Sequence, residues 1–293
     1  MDKFKNIALV RNVIVDTEGI VVKINNYLEK RGHTVLPEQS CRDALPAKRF
    51  YQFSELSHAD LAIVIGGDGS LLYAARNFGP QGVPILGVNL GRLGFLVDIS
   101  PKKLITTLGE ILDGNYREEQ RFLLQAEIVR NESVLQKYIA VNDVVINNHF
   151  QTRMIEFYTH INEHYVNHER ADGVVIATPT GSTAYALSAG GPILHPALDA
   201  ITLVPICPHT LNHRPLVIDA SSTVAIKIDP DCRVAAQASF DGQENIILEP
   251  GDCIEVKRSK INMHLLHPEG YEFFDILRAK LRWGKQPDEG SPR

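Results

Sequence analysis

Three glycines surround one acid in the segment Gly66-Gly67-Asp68-Gly69, which directly follows the apolar run AIVI. Backbone N–H groups at the start of a helix attract phosphate, and glycine lets a ligand approach them closely. A carboxylate beside phosphate is useful if it binds a metal ion or accepts a proton from an attacking hydroxyl. The segment therefore predicts phosphoryl transfer with Asp68 as the base. The alternative is a tight strand-to-helix turn that needs glycine for a positive φ.

A second glycine-bearing loop, NLGRLGFL at 89–96, continues from the apolar run VPILGVN. Adjacent parallel strands end at the same edge of a sheet, so we expect this loop to lie beside the first one. Phe95 offers an aromatic face on which a base can stack. The alternative is that Phe95 is an ordinary core side chain.

A polar pair, Asn142-Asp143, interrupts the apolar run AVNDVVI. Adjacent strand residues point to opposite faces, so the two side chains cannot both simply face water. An Asn amide both donates and accepts hydrogen bonds, which suits an adenine edge. An Asp carboxylate accepts from two hydroxyls, which suits a ribose diol. The alternative is a bulge or the capped end of a strand.

Hydroxyl groups crowd around one glycine in ADGVVIATPTGSTAYALSAGGP, residues 171–192. The polar candidates in this segment are Asp172, Thr178, Thr180, Ser182, Thr183 and Ser188. They offer donors to phosphate or sugar oxygens just before a short predicted helix, and Tyr185 adds a stacking face. The alternative is N-capping by Ser182 or Thr183, which would account for a single hydroxyl.

Several other polar residues have ordinary explanations. Asp241-Gly242-Gln243 is a hairpin turn of the Asp-Gly type. Arg153 and Arg170 are able to face phosphates, although surface arginines are common. The histidines show no metal-ligand spacing, and we expect His164 and His168 to be solvated on an exposed hairpin.

The elements that must position these residues change type near residue 120. Before it, apolar strands alternate with helices, which predicts a parallel sheet covered on both faces. After it, many short strands and turns predict an antiparallel all-β domain, interrupted by one helical island, STAYALSAGG. The predicted boundaries are 1–120 for the α/β domain, 121–268 for the all-β domain, and 269–293 for a terminal helix and a frayed tail.

Composition narrows the function classes. The 293 residues carry a formal net charge of −5, so we expect no nucleic-acid or membrane-surface partner. The four cysteines form no CxxC pair, which argues against structural zinc or a disulfide framework. No apolar run approaches the roughly 20 residues of a membrane helix. These features predict a cytoplasmic protein.

The motifs, in this order, resemble those of bacterial NAD kinases. The matching segments are GGDGSLLYAAR, GVNLGRLGFLVD, VNDVVI, RADGVVIATPTGSTAYALSAGGPILHPALDAITLVPICPH and RPLVI. The resemblance implies ATP-dependent phosphorylation of the 2′-hydroxyl on the adenosine ribose of NAD, giving NADP. It also implies a divalent metal such as magnesium, a homotetramer or homodimer, and an active site between an α/β and an all-β domain, with the terminal helix returning to the first domain.

The same resemblance assigns roles to individual residues. Asp68 would take the 2′-hydroxyl proton, supported by Gly69, and Phe95 would line the adenine pocket. Asn142 would bind adenine, and Asp143 would hold the ribose hydroxyls at a position where many relatives have Glu. Further substrate-binding positions are Arg153, Arg170, Asp172, Thr183, Ala184, Tyr185, Ala186, Leu187, Ser188 and Gln243, some of them acting across a subunit interface. No residue is nominated as a metal ligand.

One stretch departs from the family pattern, and two other functions remain open. After NDVVI many relatives continue with His-Pro-Gly, whereas this chain has Asn147-Asn148-His149. A lipid kinase that shares the GGDG motif is one alternative, although the polar TPTGSTAYALS segment does not suit an apolar substrate. A dinucleotide sensor without turnover is the other, and it would have no need for an acid at the position of Asp68.

Overall fold

The computed structural model describes residues 3–91, 93–149, 153–210 and 212–283. They form two compact units: the first contains the described residues up to Gln120 and those from Met263 onward, and the second is Arg121–Asn262. The predicted frayed tail lies outside the described residues. Within the described ranges, the helices are too short or too polar to cross a bilayer.

The first unit is built on four parallel strands in the order β2-β1-β3-β4. Its elements up to residue 112 are β1 (Asn6–Arg11), α1 (Glu18–Lys30), β2 (Thr34–Pro37), β3 (Leu61–Ile65), α2 (Asp68–Phe78), β4 (Ile85–Val88) and α3 (Leu104–Leu112). Every residue of β3 and β4 is buried. Strands covered on both faces must be apolar throughout, which explains the uninterrupted runs in the sequence.

Helices cover this sheet through regularly spaced apolar residues. The helix α1 buries Val21, Ile24 and Leu28, one side of a helix with 3.6 residues per turn. Burying each such side chain contributes roughly 1.5–3 kcal/mol. The helix α3 begins at Leu104, after a turn formed by residues 101–103.

The second unit is an antiparallel sandwich, in agreement with the predicted all-β domain. Its elements, of which β5 begins and β16 ends in the first unit, are β5 (Tyr116–Arg130), β6 (Ser133–Ala140), β7 (Asp143–Asn148), β8 (Ile155–Ile161), β9 (His164–Ala171), β10 (Gly173–Ala177), α4 (Tyr185–Ser188), β11 (Ala200–Ile206), β12 (Leu216–Asp219), β13 (Val224–Ile228), β14 (Ala236–Phe240), β15 (Glu244–Leu248) and β16 (Cys253–Pro268). One sheet has the order β12-β11-β10-β7-β14-β15. In the other layer, β13 pairs with both β8 and β16, β8 pairs with β9, and β5 forms a hairpin with β6.

Alternation along β7 separates the core of the sandwich from the face that carries polar residues. Val144 and Ile146 are fully buried in the core cluster, where Phe157 of the other layer also packs. Val145 points to the opposite face, where it packs with Ala186 in a smaller apolar cluster. Because side chains alternate with a period of two, Asp143 shares the face of Val145.

The long strand β16 begins in the second unit and ends in the first. Its residues Leu265 and Leu266 pair in parallel with Ile85 and Leu86 of β4. The last helix, α5 (Phe273–Leu281), follows in the first unit. The sequence-based boundary at 268 marks the end of β16, whereas the compact units divide within that strand, after residue 262.

Candidate active site

The GGDG loop connects β3 to α2, and Asp68 is the first residue of that helix. The described residues with positive φ do not include Gly66, Gly67 or Gly69, so the turn explanation for these glycines is wrong. A Cβ on Gly66 would collide with the Ser70 side chain. The glycine therefore serves close packing beneath the start of α2, where the positive end of the helix dipole lies.

Two backbone amides of the second loop hold the Asp68 carboxylate. Oδ2 accepts a hydrogen bond from the Phe95 N–H at 3.0 Å, and Oδ1 accepts one from the Leu96 N–H at 2.9 Å. A Cβ on Gly94 would collide with this carboxylate, which explains the glycine there. These two donors, the ones present among the described residues, occupy about half of the roughly four lone-pair positions of a carboxylate. Asp68 is thus fixed in direction and keeps capacity to accept another proton donor.

Phe95 is half-buried, so it is not an ordinary core side chain. The Nζ of Lys280 lies 5.5 Å from its ring centroid, within the range of a cation–π contact. Asn12, directly after β1, donates from Nδ2 to the Ser70 hydroxyl at 2.9 Å. Neither Asn12 nor Lys280 lies in a glycine-rich motif, so the sequence pattern does not mark them as part of the site.

Asn142 and Asp143 lie at a junction between two strands, since β6 ends at Ala140 and β7 begins at Asp143. The prediction that the pair sits inside one strand is therefore wrong. The break allows both residues to line one cavity of about 320 Å³ in the second unit. Its other lining residues are Val145, Asn147, Ala184, Tyr185, Gln237, Ser239, Asp241 and Gly242.

The environment of Asp143 opposes its ionisation. The residue is 4% exposed, and the carboxylate of Asp241 lies close to it. Burial, and after it the charge of Asp241, raises the pKa of Asp143 to about 7. A buried carboxyl with a perturbed pKa that lines a cavity is typical of a functional site.

The hydroxyls of the TPTGST segment are bonded within the protein. Thr178 donates to the Val141 carbonyl at 2.7 Å, Ser182 donates to Pro179 O at 2.6 Å, and Thr183 donates to Thr180 O at 3.2 Å. Neither helical turn after Thr180 has a side-chain cap. The N-cap interpretation is therefore wrong, whereas a role of these hydroxyls toward a ligand stays a prediction.

The TPTGST segment fixes the backbone of Asn142. The Thr178 N–H donates to the Asn142 carbonyl at 2.9 Å. A Cβ on Gly181 would collide with the same carbonyl, so only glycine fits at this position. The threonine and the glycine thus fix the backbone on which the polar pair stands.

The predicted residues that follow are divided between the cavity and the core. Ala184 and Tyr185 line the 320 Å³ cavity. Ala186 is fully buried, so its side chain packs under α4 and does not face the cavity. Leu187 is half-buried and Ser188 is exposed at the end of this four-residue helix.

Asp172 and the unusual Asn147-Asn148-His149 segment lie close together. Asn148 donates from Nδ2 to Oδ1 of Asp172 at 3.4 Å and to the Arg153 carbonyl at 3.1 Å. The Nδ1 of His149 is 2.7 Å from Oε1 of Gln237. The segment therefore continues β7 and connects the cavity-lining strand β14 with Asp172.

Arg153 and Arg170 are both exposed, and they line a separate cavity of about 640 Å³. Glu156 is 3.7 Å from Nε of Arg170, and Asp231 also contributes to the lining. Gln243 is exposed in the β14–β15 turn, which is the predicted hairpin. These three predicted residues do not line the cavity that holds Asn142 and Asp143.

Three side chains of the second unit are near enough to one another to hold a metal ion: Glu156, His168 and Asp229. The Nε2 of His168 is already 3.2 Å from Oδ2 of Asp229, and the Tyr158 hydroxyl donates to the same oxygen at 3.0 Å. His168 is exposed, as predicted, but it is paired with a carboxylate as well as solvated.

Comparisons with known proteins agree across both units. A sequence profile of the ATP-NAD kinase N-terminal domain matches 7–116, and one of the ATP-NAD kinase C-terminal domain matches 141–267. An NAD kinase of Pseudomonas putida is 42% identical over 293 residues, covering 98% of each chain. An NAD kinase of Coxiella burnetii is 44% identical over 287 residues, covering 97% of this chain and 96% of the relative.

Solved structures show the same architecture. A yeast NADH kinase complexed with NADH superposes with a TM-score of 0.89 at 23% identity, covering 99% of this chain and 93% of the other, which establishes the fold. An NAD kinase from Archaeoglobus fulgidus in complex with ATP gives a TM-score of 0.76 at 25% identity, covering 94% and 98%. Both profiles, the full-length relatives and the shared fold lead to one conclusion: the chain belongs to the ATP-NAD kinase family.

Proposed function

We propose that this protein transfers the γ-phosphate of ATP to the 2′-hydroxyl of the adenosine ribose of NAD and so produces NADP. Full-length relatives named NAD kinase support the reaction. Structures of an NADH kinase with NADH and of an NAD kinase with ATP support the two substrates. The observation that carries the chemistry is the Asp68 carboxylate, fixed by two backbone N–H donors at the start of α2.

In this proposal Asp68 is the general base. The ribose oxygen forms a bond to the γ-phosphorus, and the bond between that phosphorus and the β–γ bridging oxygen breaks. The 2′-hydroxyl proton passes to Asp68, and ADP leaves with the bridging oxygen. Base catalysis of this kind typically contributes about 10²–10⁴ in rate. The amides of Phe95 and Leu96 keep the carboxylate pointed at one place, so no energy is lost in orienting it.

NAD binding is proposed for residues of both units. Asn142 would bind the adenine edge and Asp143 the ribose hydroxyls, supported by their shared cavity. Tyr185 and Phe95 offer partly exposed aromatic faces for stacking. Gly69, Arg153, Arg170, Asp172, Thr183, Ala184, Ala186, Leu187, Ser188 and Gln243 complete the proposed set, with Ala186 and Thr183 contributing through the backbone only.

A divalent cation, taken to be magnesium, is part of the proposal. Mg²⁺ prefers oxygen ligands and usually reaches kinases on nucleotide phosphates with one or two carboxylates. Asp68 supplies such an oxygen at the phosphate-binding loop, so the donor set fits a metal delivered with ATP. When bound, the ion would neutralise charge on the phosphates. A homotetramer or homodimer and a cytoplasmic location complete the proposal, supported by the family resemblance.

One assay tests the reaction. Purified protein is mixed with ATP, magnesium chloride and NAD, and NADP is detected with an NADP-specific dehydrogenase. We expect NADP to form in proportion to enzyme and only when ATP is present. NAD binding without any NADP formation would instead favour a sensor. Phosphorylation of diacylglycerol vesicles but not of NAD would favour a lipid kinase.

A further inference from the structure

The aspartate at the start of the β14–β15 turn, Asp241, has a geometry that a turn alone does not require. Its backbone is left-handed, with φ at 53°, which Asp and Asn tolerate better than most residues. Its own N–H donates to the Asp143 carbonyl at 3.0 Å. The turn is therefore bonded to the β6–β7 junction, about a hundred residues earlier in the chain.

The carboxylate of Asp241 accepts hydrogen bonds from successive backbone amides of this junction. The Val141 N–H lies 3.0 Å from both oxygens, and the Asn142 N–H lies 2.7 Å from Oδ1. The Asp143 N–H is 3.3 Å from the same Oδ1. Three amides converging on one anion form a nest, and hydrogen bonds to an ionised acceptor are about twice as strong as neutral ones.

The peptide units that Asp241 holds are those that direct the side chains of Asn142 and Asp143. Thr178 and Gly181 support the carbonyl side of the same peptides, while Asp241 supports the N–H side. With both sides fixed, the junction cannot rotate without breaking several hydrogen bonds. The strand break that brings two adjacent side chains into one cavity therefore depends on this carboxylate.

We propose that Asp241 is a positioning residue for NAD, whose carboxylate orients Asn142 and Asp143 through their backbone amides. This inference rests on the proposed roles of Asn142 and Asp143 in binding the adenosine portion of NAD. The Asp-Gly pattern by itself predicts only a hairpin turn at this residue.

Asp241 also opposes the ionisation of the neighbouring Asp143. The titratable groups that share the cavity with Asp143 are Asp241, from the β14–β15 turn, and Tyr185, from α4. Burial and the Asp241 charge together raise the pKa of Asp143 to about 7. An ionised carboxylate accepts from two ribose hydroxyls, whereas the protonated form has less acceptor capacity. KM for NAD should therefore rise as the pH falls through about 7.

The test is the variant Asp241→Asn, which keeps the shape and the backbone preference of the residue and removes its charge. We expect KM for NAD to rise on the order of tenfold, the effect of losing a charge-assisted hydrogen bond. We expect kcat to stay near the native value. The pH at which KM begins to rise should also move lower, because the negative charge at position 241 is gone and the neighbouring Asp143 ionises more readily.

A second variant separates geometry from charge. Asp241→Glu keeps the charge but displaces the carboxylate by one methylene, so KM should rise while its pH midpoint changes little. Asp219→Asn is the matched control: Asp219 accepts the Ser221 N–H at 2.8 Å in a turn at the far edge of the same sheet. This control should leave KM and its pH dependence unchanged.

The outcomes separate this inference from the proposed function. If Asp143→Asn raises KM for NAD but both Asp241 variants bind NAD normally, the positioning role is wrong and the binding role stands. If Asp143→Asn itself leaves KM unchanged, the proposed binding role fails. A rise in KM for Asp241→Asn with an unshifted pH midpoint would point to general loosening of the turn and would also overturn the inference.

Discussion

Asp68 in the first unit and Asp143 in the second are both aspartates at the junction of a strand with another element, but their surroundings are opposite. Asp68 is half-exposed, and two backbone N–H donors hold its carboxylate. Asp143 is 4% exposed and faces a second carboxylate. The contrast shows how one residue type can suit the two tasks proposed for it: a fixed proton acceptor in one loop, and a binding group with a pH-dependent charge in the other.

The largest effect should come from Asp68, the proposed proton acceptor. Asp68→Asn keeps the shape of the side chain but removes its basicity, so we expect kcat to fall by about 10²–10⁴ while NAD still binds. Initial rates with the NADP-specific dehydrogenase measure kcat, and calorimetric titration measures NAD binding. A variant that produces NADP at a near-native rate would refute the role of Asp68.

A matched control exists in the same unit. Asp60 is also half-buried, and its Oδ2 accepts the backbone N–H groups of Lys5 and Asn6 at 2.8 and 2.7 Å. Asp60→Asn should lower stability in the way that Asp68→Asn does, but leave kcat intact. Equal losses of kcat in both variants would mean that the loss in Asp68→Asn comes from a disturbed structure and not from the missing base.

The second effect concerns the stability of the protein without substrate. The pKa of Asp143 is raised from 3.8 to about 7, so between these values the native state binds a proton that the unfolded state has lost. Stability should fall as the pH rises through this window, by up to about 4 kcal/mol. Asp143→Asn removes the free-energy cost of ionising this buried carboxyl. At pH 8 it should therefore unfold at a higher denaturant concentration than the native protein.

Urea unfolding from pH 5 to pH 8 measures this difference. The advantage of Asp143→Asn should grow with pH, whereas Asp219→Asn should differ from the native protein by a constant amount. An advantage that does not change with pH would show that Asp143 has an ordinary pKa in the folded protein. It would also weaken the contrast with Asp68.

The third effect tests how tightly the second loop approaches Asp68. In Gly94→Ala the added Cβ meets the Asp68 carboxylate, so the base must shift. A displacement of about 1 Å can lower the rate by roughly 10²-fold, and KM for NAD should change less than kcat. Gly19→Ala is the control, since nothing lies within 4 Å of its added Cβ. Native kcat in Gly94→Ala would contradict the close approach.

The smallest effect should come from Thr178, which supports the backbone of the Asn142-Asp143 pair. Thr178→Val removes the hydroxyl that donates to Val141 O and accepts from the Gly181 N–H, at about 1–3 kcal/mol of stability. KM for NAD should rise, although less than in Asp143→Asn.

The control is Thr202→Val, which removes a buried hydroxyl that donates to Leu216 O. This variant should lower stability and leave KM unchanged. Equal KM values for Thr178→Val and Thr202→Val would show that Thr178 has no role in NAD binding.

The sequence was most informative where chemistry depends on local backbone type. Buried apolar runs identified β3 and β4, and the common edge of parallel strands placed the second glycine loop beside Asp68. The Asp-Gly pair likewise predicted the hairpin at Asp241. Each of these inferences depends on residues that are neighbours in sequence or on adjacent parallel strands.

The sequence failed where a side chain bonds to distant backbone. Every backbone amide is a donor, so no residue pattern marks Val141 and Asn142 as the partners of Asp241. For the same reason, no residue pattern indicates that the hydroxyls of Thr178 and Ser182 donate to the Val141 and Pro179 carbonyls. Long-range bonds to the main chain leave no signature in residue identity.

The path of β16 also bears on how the chain folds as it leaves the ribosome. The edge of β4 is paired by Leu265 and Leu266, which are made only after the whole of Arg121–Asn262. The segment Arg121–Asn262 can therefore fold while the four-stranded sheet of the first unit, which is made earlier, still exposes the unpaired apolar edge of β4. Such an edge is a template for aggregation. Nascent chains that stop at residue 262 should accordingly depend on chaperones far more than those that extend past 268.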